Sequence, residues 1–141
     1  MATLAHLVLS LAAALALVGH PAGRIPAAVR SIDVQVARGP SRQVTDPAKV
    51  AKIRRWFDAL PTVRRGRIYH CPLIRYRPPV TFEFRSAKGA LLARARTPGR
   101  AACGFSFDYR VLGLPQKPVL ARRFLVRVGR LLRVRLAPRF R

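Results

Sequence analysis

The sequence predicts an α+β fold: an antiparallel sheet of about four strands with two helices packed on one face, in the order β-α-β-β-β-α. Three observations lead there. A capped amphipathic run covers residues 45–60, three stretches of apolar-polar alternation lie between residues 80 and 110, and a second amphipathic run follows Pro118. Recurrence of apolar residues every 3.6 positions marks a helix, and recurrence every second position marks a half-buried strand.

The chain divides into four parts. Residues 1–23 carry no Asp, Glu, Lys or Arg, and Leu7–Val18 is an apolar run of 12 residues broken by no charge. That length suits the core of a signal peptide, whereas a spanning helix needs about 20 residues. Residues 1–23 are therefore expected to be a signal peptide or an N-terminal apolar anchor. Two other readings stay open. Arg24 and Arg30 behind the run would favour a cytoplasmic domain if the anchor were retained, or the run is a buried helix of the domain. The n-region lacks Lys and Arg, and no strong small-x-small site precedes Arg24. No Cys stands directly behind the run, which excludes a lipobox. Residues 24–31 read as a linker, residues 32–136 as a single domain and residues 137–141 as a basic tail.

Within the domain, Ile32, Val34 and Val36 alternate with Asp33, Gln35 and Ala37, and Arg38-Gly39-Pro40-Ser41 ends that strand. Thr45-Asp46-Pro47 then supplies a capping side chain and a proline at the first helical position. Val50, Ile53, Phe57 and Leu60 share one helix face, with Trp56 at its edge and Lys52, Arg54, Arg55 and Asp58 turned away. Leu60-Pro61 stops the helix.

Residues 61–79 form a long basic loop. Beyond it Val80, Phe82 and Phe84 alternate with Thr81, Glu83 and Arg85, and Ser86-Ala87-Lys88-Gly89 turns the chain. Leu91, Ala93 and Ala95 alternate in the next run, and Thr97-Pro98-Gly99 turns again. Cys103, Phe105, Phe107 and Tyr109 are expected on one face of a third strand of this meander. In the last element Leu120, Phe124, Leu125, Val128, Leu131 and Leu132 line one side of a helix, opposite Arg122, Arg123, Arg127, Arg130 and Arg133. Leu132, Val134 and Leu136 would equally start a short final strand.

The net charge of +23 rests entirely on residues 24–141, where the acids are only Asp33, Asp46, Asp58, Glu83 and Asp108. A field of this sign attracts phosphate polymers and anionic lipid surfaces without regard to their sequence. The expected partners are thus anionic envelope polymers or a lipid surface, with nucleic acid as an alternative; no small-molecule cofactor is implied.

Cys71 and Cys103 are the only cysteines. In an exported chain an even count points to one disulfide, which would tie the basic loop to the sheet and constrain the unfolded chain by about 3–4 kcal/mol on chain-entropy arithmetic. A metal site of His70, Cys71, Cys103 and Asp108 lacks a ligand pair at helical or zinc-ribbon spacing. His70 is the only histidine beyond the apolar leader, so a small hydrolase would have to use it as base or shift a carboxylate. Gly104-Phe105-Ser106-Phe107-Asp108 lacks the second glycine of a nucleophile elbow.

Arginines carry the sharper hypothesis. Arg64, Arg65, Arg67, Arg75 and Arg77 alternate with Tyr69 and Tyr76 in the loop, a combination that holds phosphates and stacks on rings. The arginine face of the last helix would suit an anionic membrane. The plainer reading is preferred there, because the domain needs the helix's apolar side for its core.

The run Thr45-Asp46-Pro47-Ala48-Lys49-Val50, the helix end Phe57-Asp58-Ala59-Leu60-Pro61, Cys71-Pro72, the Phe-rich strand pair, Ala102-Cys103-Gly104 and an apolar last helix together resemble small exported actinobacterial proteins. Many of these are lipoproteins, and they have no assigned function. The resemblance spans about residues 32–132 and implies an exported domain with a Cys71–Cys103 bridge, but no activity. The chain departs from the pattern in its large positive charge and in lacking a lipidated Cys. The function expected is a secreted or envelope-held, extracytoplasmic binding domain without enzymatic activity.

Overall fold

The computed structural model describes residues 23–70 and 78–137. Its elements are β1 (Val29–Val36), β2 (Ser41–Val44), α1 (Pro47–Asp58), β3 (Val80–Ser86), β4 (Leu91–Arg96), β5 (Ser106–Val111), β6 (Leu114–Pro115), β7 (Val119–Leu120) and α2 (Arg122–Leu132). Among the described residues the sheet has seven strands in the order β2-β1-β3-β4-β5-β6, with β7 pairing to β5 off that path. Every pairing is antiparallel.

α1 starts where the sequence says it should. The Asp46 carboxylate accepts the Lys49 N–H at 2.8 Å, Pro47 opens the first turn, and Val50, Ile53 and Phe57 are buried on the inner face. Phe57 lands among aromatic rings, with centroids 5.6 Å from Phe84, 5.4 Å from Phe107, 5.2 Å from Tyr109 and 5.4 Å from Phe124 of α2. Strand register makes room for these rings. Phe82 faces Ala95 and Phe84 faces Ala93 across β3 and β4, so large side chains stand beside small ones and the two helical phenylalanines fit between them. Edge-to-face pairs of this kind add about 0.5–1.5 kcal/mol each beyond area burial.

Among the described residues the other face of the sheet carries no helix, and it is polar. Asp33 and Glu83 sit directly opposite on β1 and β3, a like-charge pair that would repel. Arg85 resolves it by donating to both carboxylates, to Asp33 at 2.9 Å, and Arg94 donates to Glu83 at 2.9 Å.

Several expectations are corrected. The strand count of about four becomes seven, because β2, β6 and β7 are short edge pieces. Residues 24–31 are not a free linker: Ile25 is buried, its N–H is held by Asp58 at 2.8 Å, and β1 begins at Val29. Cys103 is not in a strand. It lies in a 3-10 turn, Ala102–Gly104, whose three residues have φ of 48°, 57° and 77°, and only Phe107 and Tyr109 continue on the buried face of β5. Leu120 belongs to β7, and no final strand forms after α2 among the described residues. Instead Arg133 turns left-handed at φ 55° and Val134 N–H bonds back to Gly129 C=O at 2.9 Å, burying Leu136.

Candidate functional site

The basic loop leaves α1 along a fixed track. Leu120 N–H donates to Pro61 C=O at 3.0 Å and Val63 N–H to Pro118 C=O at 2.8 Å, around a Thr62–Val119 bridge. This ladder brings the loop beside β7 and the first turn of α2. Two adjoining depressions result, with Tyr69 and Ala102 in the wall of both.

One, of about 510 Å³, lies between Trp56 of α1, Leu60 just behind that helix, Tyr69 and His70 of the loop, Cys103 and Phe105, and Arg122, Arg123 and Arg127 of α2. The other, of about 1000 Å³, is lined by Arg64, Arg65, Arg67, Tyr69 and Lys117. They share Tyr69 and Ala102, and the two together, termed the groove below, bring Trp56 and Tyr69 into one lining with the cationic side chains. The Arg67 guanidinium carbon is 5.9 Å from the Tyr69 ring centroid, and Arg127 is 5.8 Å from that of Trp56. Those distances fall within cation–π range. The first turn of α2 contains Arg122 and Arg123 with no acid and no side-chain cap, so the positive end of the helix dipole adds to theirs.

No Asp or Glu lines the groove on its described walls. All five acids are engaged elsewhere. Asp33 and Glu83 pair with arginines on the open sheet face, and Asp46 caps α1. Asp58 holds Ile25, and Asp108 accepts the Arg100 N–H at 3.2 Å. Burial pushes the Asp58 carboxyl above its ordinary value against the pull of the Ile25 N–H and of Arg54 and Arg24; burial and Asp58 together raise the Tyr109 hydroxyl.

The pocket that His70 borders contains no Ser, Thr, Asp or Glu on its described wall. Among the described residues no group of three or more His, Cys, Asp or Glu is placed to hold a metal ion. Cys103 Sγ lies 3.7 Å from the carbonyl oxygen of Tyr69, two residues before Cys71 in sequence. Cys71, Arg75 and Arg77 lie outside the described residues.

Of the arginines picked from sequence, Arg64, Arg65 and Arg67 come together on the groove. Sequence reasoning missed Trp56, Lys117, Arg122, Arg123 and Arg127, having turned the helix arginines toward plain solvent. The available signal was the pair Arg122-Arg123 at an uncapped helix start behind Pro118.

No protein-family model matches the chain, and no curated protein or solved structure is detectably similar to it.

Proposed function

We propose that this chain is an exported, non-enzymatic binding domain of the cell envelope, and that its groove holds an anionic glycopolymer. In this reading residues 1–23 are the export signal or anchor, and a Cys71–Cys103 bridge ties the loop to the turn before β5. One observation carries it: seven cations, Arg64, Arg65, Arg67, Lys117, Arg122, Arg123 and Arg127, surround Trp56 and Tyr69 on walls without a described carboxylate. Arginines suit phosphate or carboxylate groups along a polymer, while aromatic faces suit its sugar rings.

The test is a titration of the protein with a soluble glycerol-phosphate glycopolymer, a neutral dextran and a single-stranded oligonucleotide at several salt concentrations. Binding of the glycopolymer that weakens steeply with salt is expected, and the triple variant R64A/R65A/R67A should flatten that dependence. Salt-insensitive binding, or an unchanged triple variant, would sink the groove reading. Tighter binding of the oligonucleotide would move the assignment to a nucleic-acid module, whose bases would stack on the same rings. Intact mass of protein from the native envelope, with and without reductant, tests export and the bridge together.

A further inference from the structure

The end of the sheet farthest from the groove carries a feature that solubility does not ask for. β5 and β6 are joined by a two-residue turn, Leu112-Gly113, with φ of 48° and 81°. Both central residues of such a turn need positive φ, which is why Asn-Gly and Asp-Gly are favoured there. Here the first position holds a leucine, a residue that the left-handed region disfavours. Its side chain stands mostly outside the fold: Leu112 is 64% exposed and its neighbour Leu114 is 67% exposed. Leu91, at the start of the adjacent strand, is 40% exposed.

Charge and chain direction both point to what covers this tip. The antiparallel order brings the start of β1, the β3–β4 turn and the β5–β6 turn to the same end of the sheet. These segments carry Arg30 and Lys88 and contain no acid, and Arg110 sits just behind the tip. Gly23, the first described residue, sits beside Tyr109 in the middle of β5. Its carbonyl accepts the Tyr109 hydroxyl at 3.0 Å, and Tyr109 C=O accepts the Gln116 N–H at 3.0 Å. Tyr109 stands three residues from Leu112, about 10 Å along a strand. The apolar run Leu7–Val18 ends five residues before Gly23, within about 18 Å of extended chain.

We infer that the β5–β6 tip is a membrane contact: Leu112 and Leu114 enter the acyl boundary of an anionic bilayer while the surrounding cations meet its headgroups. Exposed aliphatic side chains bounded by basic residues are the composition that binds such an interface. β7 pairs with β5 at Ser106 and Phe107, so the groove lies at the opposite end of β5 from the tip, roughly 17 Å away along the strand. Seated this way, the domain turns its groove away from the bilayer. The inference rests on the tip and does not need the groove reading.

The experiment uses the full chain bound to vesicles of phosphatidylglycerol and phosphatidylcholine in which the phosphatidylcholine acyl chains are brominated. In Leu112→Trp the new indole should be quenched several-fold more than Trp56 is in the wild type, because Trp56 borders the groove. Quenching no greater than in the wild type overturns the inference. Leu112→Asn, which suits the turn, should keep or raise the melting temperature; a clear fall would show that Leu112 serves the fold and would overturn it as well. R64A/R65A/R67A in the Leu112→Trp background should leave the quenching in place whether or not the groove binds a polymer. Loss of quenching in that background would mean contact through the groove instead.

Discussion

Arg127 on α2 holds its guanidinium carbon 5.8 Å from the ring centroid of Trp56 on α1, and the Lys52 ammonium approaches the same ring at 6.0 Å. The chain has a single tryptophan, so the groove contains its own reporter. Glycopolymer binding is expected to shift or quench Trp56 emission in proportion to occupancy. Arg127→Ala removes one cation from the groove lining, so affinity should fall and the slope of its salt dependence should drop by about one. Saturable binding with no change in Trp56 emission would place the polymer elsewhere on the surface.

Cys103 sits within a run of three left-handed residues, two of them not glycine. L-residues avoid that region at a cost of about 1–2 kcal/mol each, and such geometry persists only where surrounding contacts over-determine it. The turn is indeed held on both sides. Ser106 Oγ donates to Ala101 C=O at 2.8 Å, Phe105 N–H donates to Ala102 C=O at 2.9 Å, and Ala121 N–H donates to Phe105 C=O at 2.8 Å. If the proposed bridge is what keeps the loop over this turn, reduction should lower stability by about 3 kcal/mol. It should also weaken glycopolymer binding, because Tyr69 and His70 leave the wall. Denaturant melts and titrations with and without reductant check both; identical curves would remove the bridge from the account.

Some of this architecture was plain in the sequence, and the reason differs element by element. α1 was legible because Asp46, Pro47 and the spacing of Val50, Ile53 and Phe57 all report on the same local structure. β3 and β4 were legible because strict alternation survives where one face is buried. β2 was not, since Ser41-Arg42-Gln43-Val44 is an edge strand that buries only Val44. β6 and β7 hid behind Pro115 and Pro118, which read as breakers although Pro115 is itself half of β6 and Pro118 adjoins β7. Ile25 looked like linker because its partner, Asp58, lies 33 positions away. The groove was half visible for the same reason. Loop arginines announce themselves by composition, but their convergence with Trp56, Arg122 and Arg127 depends on the Pro61–Leu120 and Val63–Pro118 hydrogen bonds, which no local pattern encodes.

Gly129 separates helix propensity from packing. It occupies the middle of the last turns of α2, where alanine would ordinarily gain about 1 kcal/mol. A Cβ there would stand 2.7 Å from the Val134 carbonyl oxygen and 3.8 Å from Leu136 Cβ. The returning segment is backbone held by the Val134 N–H to Gly129 C=O bond, so it has little freedom to give way. Gly129→Ala is therefore expected to destabilise the domain by about 1–3 kcal/mol, the range of core overpacking. Thermal or urea unfolding reads the sign directly, and a stabilised variant would show that residues 134–136 detach from α2 at no cost.

The open sheet face gives a pH prediction through Glu83. Burial alone would raise its carboxyl, but the hydrogen bonds from Arg94 and Arg85 outweigh that and hold it below the ordinary glutamate value. A carboxylate depressed in the folded state stabilises the fold fully above its unfolded pKa, and that contribution disappears as pH falls through the lower folded value. The side chain is one-fifth exposed and its arginine partners face water, so solvent screening keeps the effect near 1 kcal/mol or less. Glu83→Gln should thus be less stable than the wild type at neutral pH by about that amount. The gap should close in strong acid, where the wild-type carboxyl is protonated as well. It should also shrink in high salt, since these pairs are screened by ions. Parallel stability curves for the two proteins from neutral to acid pH would mean that the bridges across Asp33 and Glu83 contribute shape to the sheet face and no net stability.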